Sequence, residues 1–205
     1  VGICARDGEL EMTIRADPAD AWAADALERR VADALGPALF SRDGATVDDL
    51  VAQGLVAAGQ TVAVAESCTG GGLGSRLTAR PGSSAYMLGG VIAYADAVKV
   101  DLLGVDPGVL ARHGAVSAEC AEQMADGVRR RLGSDWALSI TGVAGPGGGT
   151  EEKPVGLVYV GVSGPAGTSH VRLARAWGGR EGIRTRAVAS AMHLLRAGLA
   201  GPPAR

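Results

Sequence analysis

The chain has 205 residues and a formal net charge of −2, with 20 lysines and arginines against 22 aspartates and glutamates, so it carries no global basic surface of the kind that binds nucleic acid. Its three cysteines, Cys4, Cys68 and Cys120, are odd in number and widely spaced, which argues against a disulfide framework and predicts a reducing, cytoplasmic environment. Dispersed histidines without a CxxC or HxxxH pattern, and apolar runs shorter than the roughly 18 residues of a membrane span, predict no metal site, no cofactor and no membrane partner.

The first 44 residues have the pattern of a small β-α-β unit. Residues 9–16 alternate apolar and polar side chains, as a half-exposed strand does. Residues 19–35 carry apolar side chains at helical spacing, and 37–41 are predicted as a second short strand. Because a unit of this size rarely buries enough surface to fold alone, we interpret residues 1–44 as the remainder of a preceding domain.

The rest of the chain, residues 45–205, alternates short apolar runs with amphipathic stretches. Thr46 followed by Asp49 has the pattern of a capping box and predicts a helix that ends near residue 58. Short apolar runs predict strands at 61–65, 90–94 and 136–141. Helices are predicted between them, at 72–79, up to residue 103, and from a Ser117 cap to residue 132.

Two adjacent strands are predicted after these, at 155–162 and 170–177, joined by a hairpin around 164–167. A final helix at 180–199 follows. Strands that alternate with helices run parallel, and the hairpin adds an antiparallel pair. We therefore predict an α/β fold, a three-layer α/β/α sandwich with a mixed, mostly parallel sheet.

The first candidate site is Ala-Glu-Ser-Cys-Thr-Gly-Gly at 65–71, where a strand turns into a helix. Ligands of open α/β sheets gather at that edge, and free N–H groups at a helix start can hold an anion or an oxyanion. A serine at this corner, Ser67, would face the ligand. The alternative is an N-cap serine or threonine before a flexible turn. Cys68 is a second candidate nucleophile, although a cysteine at such a position is more commonly a small buried residue.

The second candidate site is Tyr94 with Lys99. A serine nucleophile needs a base, and burial disfavours the charged form of a lysine side chain, so a buried amine can accept a proton. Arginine cannot do this, and the chain has 18 arginines but only two lysines. The alternatives are a solvated lysine on a helix surface and a tyrosine at the edge of the core.

The third candidate site is the loop after the strand at 136–141, with five glycines in residues 142–149. Such a loop can wrap a phosphate or a ribose with backbone N–H groups, while Thr141 adds a hydroxyl and Lys153 a point charge. A flexible hairpin connection is the alternative. Arg180, at the start of the last helix, is a candidate clamp for a phosphate or carboxylate, or otherwise a solvated arginine.

Six segments in series carry a resemblance to a known family. They are Ala-Glu-Ser-Cys-Thr-Gly-Gly at 65–71, Pro-Gly-Ser-Ser at 81–84, Gly-Gly-Val-Ile-Ala-Tyr at 89–94, Lys-Val-Asp-Leu-Leu-Gly-Val at 99–105, His-Gly-Ala-Val-Ser at 113–117 and Thr-Gly-Val-Ala-Gly-Pro-Gly-Gly-Gly at 141–149. Together they resemble the CinA C-terminal domain family, which includes the nicotinamide-nucleotide amidases. The resemblance covers residues 46–199, and residues 1–44 resemble the end of the linker domain that precedes it in full-length CinA-type proteins.

The resemblance implies hydrolysis of the carboxamide of nicotinamide mononucleotide to nicotinate mononucleotide and ammonia, without a metal and in a homo-oligomer, expected to be a dimer. It implies that Ser67 is the nucleophile, Lys99 the base and Tyr94 its assistant. We expect the remaining site residues to bind the substrate: Thr69, Gly70 and Gly71 around the oxyanion, and Thr141, Gly145, Gly147, Gly148 and Arg180 around the ribose phosphate. The alternative function is a domain that binds pyridine nucleotides without turning them over.

Overall fold

The computed structural model describes residues 1–6 and 8–201. Its N-terminal segment is an antiparallel hairpin of β1 (Gly2–Arg6) and β2 (Glu9–Thr13), followed by the helix α1 (Ala21–Leu35). The predicted strand at 37–41 is wrong: a single 3-10 turn, Gly36–Ala38, stands there, and β1, which the sequence analysis missed, supplies the partner of β2. The segment is therefore β-β-α.

The N-terminal segment is joined to the rest of the molecule by a few side-chain contacts. Glu9 forms an ion pair with Arg76, at 3.5 Å, and its carboxylate lies 3.1 Å from Nε2 of His193. The ring of Phe40 packs against the His193 ring with centroids 4.7 Å apart. Of the α1 residues only Ala32 is buried, so this helix adds little to the core.

A mixed sheet of five strands forms the centre of the molecule, in the order β4-β3-β5-β6-β7. The parallel strand β3 lies between β4 and β5, whereas β6 is antiparallel to both of its neighbours. Four of the five strands thus share one direction, as predicted. The strands are β3 (Val62–Glu66), β4 (Met87–Ile92), β5 (Trp136–Gly142), β6 (Val158–Gly164) and β7 (Gly167–Leu173).

Helices cover both faces of this sheet, which confirms the three-layer sandwich. One layer contains α2 (Val47–Ala58), α3 (Gly72–Thr78) and α7 (Gly179–Leu199). The other contains α4 (Asp96–Leu103), α5 (Pro107–His113) and α6 (Ala118–Leu132). The short helix α5, capped by Asp106, was not predicted from the sequence. No helix within the described residues is long and apolar enough to cross a membrane.

Strand β3 shows how a chain with 3% aromatic residues packs helices against both faces of its sheet. Its side chains alternate between layers, with Val62 and Val64 towards α2 and α7, and Ala63 and Ala65 towards α6. The small side chains on the α6 face let helix and sheet approach closely. At Gly161 of β6, an added Cβ atom would lie 2.6 Å from the carbonyl oxygen of Ala121. The glycine-rich, alanine-rich composition is therefore a packing device as well as a source of loops.

The predicted helix caps are confirmed, whereas the hairpin is tighter than predicted. Thr46 Oγ1 accepts from the Asp49 N–H, and the Asp49 carboxylate accepts from the Thr46 N–H. Ser117 Oγ accepts from the Cys120 N–H at the start of α6. Strand β6 begins three residues later than predicted, because residues 154–157 form a turn in which the Leu157 N–H donates to the Pro154 carbonyl. Strand β7 begins three residues earlier than predicted, because Gly164 and Gly167 already pair across the hairpin.

Candidate active site

The carboxyl ends of three parallel strands meet at one edge of the sheet and bring the predicted site segments together. The Ser67 N–H, just after β3, donates to the Ile140 carbonyl in β5 at 2.9 Å. The Glu66 carbonyl accepts from the Ala93 N–H, just after β4, at 2.7 Å. Continuing the strand register, Ser67 lies next to Thr141 on one side and next to Ala93, the residue before Tyr94, on the other. Strand ends are where ligands of open α/β sheets bind.

The turn from β3 to α3 presents the Ser67 hydroxyl without a hydrogen-bond partner among the described residues. Ser67 is half-buried. The turn needs two successive residues with positive φ, Gly70 at 57° and Gly71 at 101°, and only glycine adopts these values without strain. The Gly-Gly pair therefore bends the chain sharply enough to leave the serine at the edge of the sheet.

Glu66, which the sequence analysis left without a role, organises this turn. Its side chain is 1% exposed, and its carboxylate accepts three backbone N–H bonds, from Gly71 at 3.1 Å, Leu73 at 3.0 Å and Gly74 at 2.8 Å. A carboxylate at a helix N-terminus is favourable because it satisfies the free N–H groups there and opposes the helix dipole. The Glu66 carboxylate thus lies inside the turn and holds the backbone between β3 and α3 in place.

Two N–H groups of the turn remain free. The Gly70 N–H donates to the Ser67 carbonyl, the Gly71 N–H to Glu66 and the Gly72 N–H to the Thr69 carbonyl. Within the part of the chain that the structure describes, neither the Cys68 N–H nor the Thr69 N–H donates to another residue. Of the residues predicted to hold an oxyanion, Thr69 has a free N–H, as does its neighbour Cys68. The N–H groups of Gly70 and Gly71 are already bonded within the turn, so these two residues form the bend.

Replacing Glu66 with glutamine is expected to lower the free energy of unfolding by about 1–3 kcal/mol, because the amide loses one acceptor and turns an N–H donor towards a backbone N–H that then stays unsatisfied. Thermal or urea unfolding of the purified variant measures this. Glu152→Gln, at an exposed loop residue, is the matched control and should leave stability unchanged. A Glu66→Gln variant as stable as the wild type would contradict this role for the carboxylate.

Cys68 lies beside Ser67 but faces the core between β3 and α7. Burial raises the pKa of its thiol to about 11, and the negative charge of Glu66 adds to the rise, while the positive charges of Arg180 and Arg184 oppose it. Since the thiolate is the nucleophilic form, a cysteine in this environment is a poor nucleophile at neutral pH. The geometry favours Ser67 over Cys68.

Thiol labelling checks this environment. Burial also raises the pKa of the Cys120 thiol to about 11, while Cys4 is exposed on β1. At pH 8 a thiol with a pKa of 11 is about one thousandth thiolate. We expect the native protein to react rapidly with a thiol reagent at Cys4 alone and the unfolded protein at all three cysteines. Rapid native labelling of Cys68 would restore it as a candidate nucleophile.

Lys99 is buried on α4, at 1% exposure, beside the segment that carries Tyr94. Its Nζ donates to the Tyr94 carbonyl at 3.1 Å and forms an ion pair with Asp96 at 3.1 Å. No hydrogen bond joins Lys99 Nζ to Ser67 Oγ in the described residues. The Tyr94 side chain is 62% exposed, so it faces solvent at the mouth of the site and not the core. Lys99 is thus an interior residue, and the alternative of a solvated lysine on a helix surface is wrong.

Thr141 and Lys153 both contact the backbone of residues 113–115, at the end of α5. Thr141 is buried, and its Oγ1 donates to the Ala115 carbonyl at 2.7 Å, which leaves its lone pairs free to accept from a ligand. Lys153 Nζ donates to the carbonyl of His113. Lys153 therefore ties the glycine-rich loop to the last residue of α5.

Two arginines on successive turns of α7 hold the two site loops. Arg180 donates to the Gly145 carbonyl at 2.8 Å, so it fixes the buried start of the glycine-rich loop. Arg184, one turn later on the same face, donates to the Thr69 carbonyl at 2.9 Å. Gly147 and Gly148 lie in the exposed part of the loop. Arg184 was missed from the sequence, where its only signal was the four-residue spacing from Arg180.

No group of three or more His, Cys, Asp and Glu side chains within residues 1–6 and 8–201 is arranged to hold a metal ion. The functional groups brought together at this edge are a hydroxyl, an amine, backbone N–H donors and guanidinium groups. That set suits acyl transfer by a serine nucleophile.

Comparison with known proteins agrees with the resemblance. A sequence model of the family described as CinA C-terminal domain matches residues 44–199. A CinA-like protein of Mycolicibacterium vanbaalenii is 52% identical over 198 residues, and one of Mycobacterium tuberculosis is 48% identical over 200 residues. These alignments cover 97% and 98% of this chain but 46% of each relative, so the chain spans about half the length of the curated relatives that it matches.

Solved structures share the fold of the same region. The competence/damage inducible protein CihA of Agrobacterium tumefaciens is 38% identical with a TM-score of 0.70, over 76% of this chain and 97% of that one. The competence damage-inducible protein A (ComA) of Klebsiella pneumoniae is 34% identical with a TM-score of 0.72, over 76% of this chain and 96% of that one. With the family model matched from residue 44 to residue 199, the chain belongs to the CinA C-terminal domain family.

Proposed function

We propose that the chain hydrolyses the carboxamide of nicotinamide mononucleotide to nicotinate mononucleotide and ammonia. One observation carries the proposal: the unpartnered Ser67 hydroxyl stands beside two free backbone N–H groups at the edge of the sheet, and the buried amine of Lys99 lies next to the adjacent strand end. The family includes amidases, and the site holds a nucleophile, a candidate base and oxyanion donors.

The proposed reaction has two halves. Ser67 Oγ attacks the carboxamide carbon while its proton moves to the Lys99 amine, and the developing oxyanion accepts from the Cys68 and Thr69 N–H groups. The proton then passes to the leaving nitrogen, the C–N bond breaks and ammonia leaves an ester on Ser67. Water attacks this ester and gives a proton to the base, which passes it to Ser67 Oγ as the C–O bond to the serine breaks. The acid product loses its remaining proton to solvent and leaves as the carboxylate.

The hydrogen-bond partners of Lys99 set a condition on this mechanism. Lys99 Nζ donates to the Tyr94 carbonyl and to Asp96, so the side chain has to leave these partners and release a proton to solvent before its amine can act as the base. Asp96 is 62% exposed and holds the amine through a single contact. We propose that the Tyr94 hydroxyl assists the proton transfer. Catalytic hydrogen bonds are often long before the substrate is bound.

Recognition of the nucleotide is assigned to the segments on the other side of Ser67. We propose that Thr141, the exposed part of the glycine-rich loop at Gly147 and Gly148, and the N–H groups of Arg180 that do not reach Gly145 contact the ribose phosphate. Binding energy from this remote end orients the carboxamide on Ser67. Free nicotinamide, which lacks that end, should therefore react poorly.

Domain organisation and assembly are further parts of the proposal. Residues 1–44 are proposed as the end of a linker-type domain, in keeping with their slight packing against α3 and α7, and 45–205 as the amidase domain. We propose that the domain acts in the cytoplasm as a homodimer on a pyridine nucleotide, without nucleic acid or membrane partners.

A pyridine-nucleotide-binding domain without turnover is the alternative function. The observation in its favour is that no hydrogen bond joins Ser67 to Lys99, whose amine is paired with Asp96. Such a domain would bind nicotinamide mononucleotide through the same loops and release no ammonia.

Ammonia release separates the two functions. Purified protein is incubated with nicotinamide mononucleotide, with nicotinamide riboside and with nicotinamide, and ammonia and the acid product are measured together. The amidase predicts equal amounts of the two products from the mononucleotide and the slowest release from nicotinamide. Binding of the mononucleotide without any ammonia would favour the alternative function and contradict the proposed one.

A further inference from the structure

A cleft opens between α3 and α7, behind the turn that carries Ser67 and in the helix layer opposite Lys99. Its volume is about 390 Å³, which falls in the range of pockets for small ligands. It is lined by Asp48, Thr69, Gly72, Arg76, Glu181, Arg184, Thr185 and Val188. The proposed mechanism uses only the backbone N–H of Thr69 from this set, so the other polar groups of the cleft have no assigned role.

Two polar atoms of the cleft-lining residues are buried without a hydrogen-bond partner, Thr69 Oγ1 and Arg184 Nε. They are two of the three such side-chain atoms in the part of the chain that the structure describes. Because buried polar groups in native proteins are nearly always hydrogen-bonded, a pair of unsatisfied donors at one place points to a partner supplied from outside. The hydroxyl and the guanidinium N–H both donate, so the partner is an acceptor.

The two arginines of the cleft differ in how firmly they are paired with carboxylates. Arg76 binds both oxygens of Asp48, at 2.9 and 2.7 Å, so that carboxylate is compensated. Among the described residues, the one carboxylate that pairs with Arg184 is that of Glu181, at 3.1 Å, and the Glu181 side chain is 82% exposed and free to turn into solvent. A guanidinium whose Nε–H is unused can donate a charge-assisted hydrogen bond to an oxygen of a phosphate group.

We propose that this cleft binds a phosphate-type anion, which accepts from Arg184 Nε–H and, after rotation of its hydroxyl towards the cleft, from Thr69 Oγ1–H. Since Arg184 also holds the Thr69 carbonyl, the bound anion fixes the residue whose N–H is proposed to face the oxyanion. The anion is either the phosphate of the substrate, which rests on the proposed function, or a free phosphate-type anion.

Thr69→Val is the sharpest test, because valine keeps the shape and removes only the unsatisfied hydroxyl. Without phosphate the variant is expected to melt at the same temperature as the wild type or higher, since a buried unpartnered group is gone. With inorganic phosphate as the probe, titrated calorimetrically and by melting temperature, the wild type should bind and the variant should bind at least about tenfold more weakly. Arg184→Gln should weaken binding similarly.

Arg130→Gln is the matched control, because it removes one positive charge from the exposed end of α6. It should bind phosphate as the wild type does at a fixed ionic strength. The inference is overturned if phosphate does not bind the wild type in the millimolar range, or if Thr69→Val and Arg184→Gln bind it as tightly as the wild type does. Thr69→Ser, which keeps the hydroxyl, should retain binding.

The source of the anion is decided by adding nicotinamide mononucleotide. If the substrate phosphate occupies the cleft, inorganic phosphate competes with the mononucleotide, and Arg184→Gln lowers kcat/KM for the mononucleotide but not for nicotinamide riboside. If the anion is separate, phosphate binds equally well in the presence of the mononucleotide. Either result supports the cleft as an anion site. Phosphate binding that depends on Arg184 in a protein without amidase activity would support this inference while the proposed function fails.

Discussion

Ser67→Ala is expected to lower ammonia release from nicotinamide mononucleotide by at least about a thousandfold, with little change in the binding of the nucleotide. Among the described residues, the Ser67 hydroxyl is half-buried at the edge of the sheet, has no hydrogen-bond partner and lies next to the free N–H groups of Cys68 and Thr69. Removal of a nucleophile leaves the small acceleration that comes from oxyanion donors and substrate binding. Steady-state release of ammonia measures the loss, and titration of the inactive variant measures the affinity.

Two further variants bracket this result. Ser75→Ala removes an exposed hydroxyl from the first turn of α3, which has no role in the proposed mechanism, and this variant should be as active as the wild type. Cys68→Ser should keep most of the activity, because its side chain faces the core and its raised pKa keeps the thiol protonated. If activity survives in Ser67→Ala and is lost in Cys68→Ser, then Cys68 is the nucleophile and the assignment to Ser67 is wrong.

Lys99→Met is expected to reduce the rate by about a thousandfold or more, since general-base catalysis alone is worth about 10²–10⁴ and Lys99 is the proposed acceptor of the serine proton. Methionine keeps much of the aliphatic stem within the interior. The free energy of unfolding should stay unchanged or rise, because a buried charge is replaced by an apolar side chain and the exposed Asp96 is left to the solvent.

Lys99→Arg separates the role of the base from the role of the charge. Arginine keeps a positive charge near Asp96 but cannot act as a neutral amine, so this variant should be as inactive as Lys99→Met. Melting temperatures of both variants show whether they are folded. A folded Lys99→Met protein with wild-type ammonia release would remove Lys99 from the mechanism and leave it as a structural residue of α4.

The placement of Ser67, Tyr94 and Thr141 at one edge was predictable from the sequence, because each follows a short apolar run and the carboxyl ends of parallel strands meet. The helix caps at Thr46 and Ser117 were equally predictable from the sequence, since a cap depends on residues three positions apart. Local patterns of this kind determine where elements start and which segments approach the site.

Glu66 and Arg184 could not be assigned in the same way. A glutamate at the end of a strand gives no sign that its carboxylate will turn back to three N–H groups of the next helix, and Arg184 reaches a carbonyl 115 residues away in the chain. The strand predicted at 37–41 is wrong because the apolar residues after Pro37 matched a strand pattern, but a strand also needs a neighbouring strand with which to pair. In this segment β1 and β2 pair with each other.

The covalent intermediate tests the central claim most directly. Nicotinamide mononucleotide is mixed with the protein, the reaction is quenched with acid within one turnover, and the peptides are analysed by mass spectrometry. The account predicts an adduct on Ser67 whose mass equals that of the mononucleotide less ammonia, formed together with one equivalent of ammonia and absent from Ser67→Ala. An adduct on Cys68, or ammonia release that continues in Ser67→Ala, would contradict it.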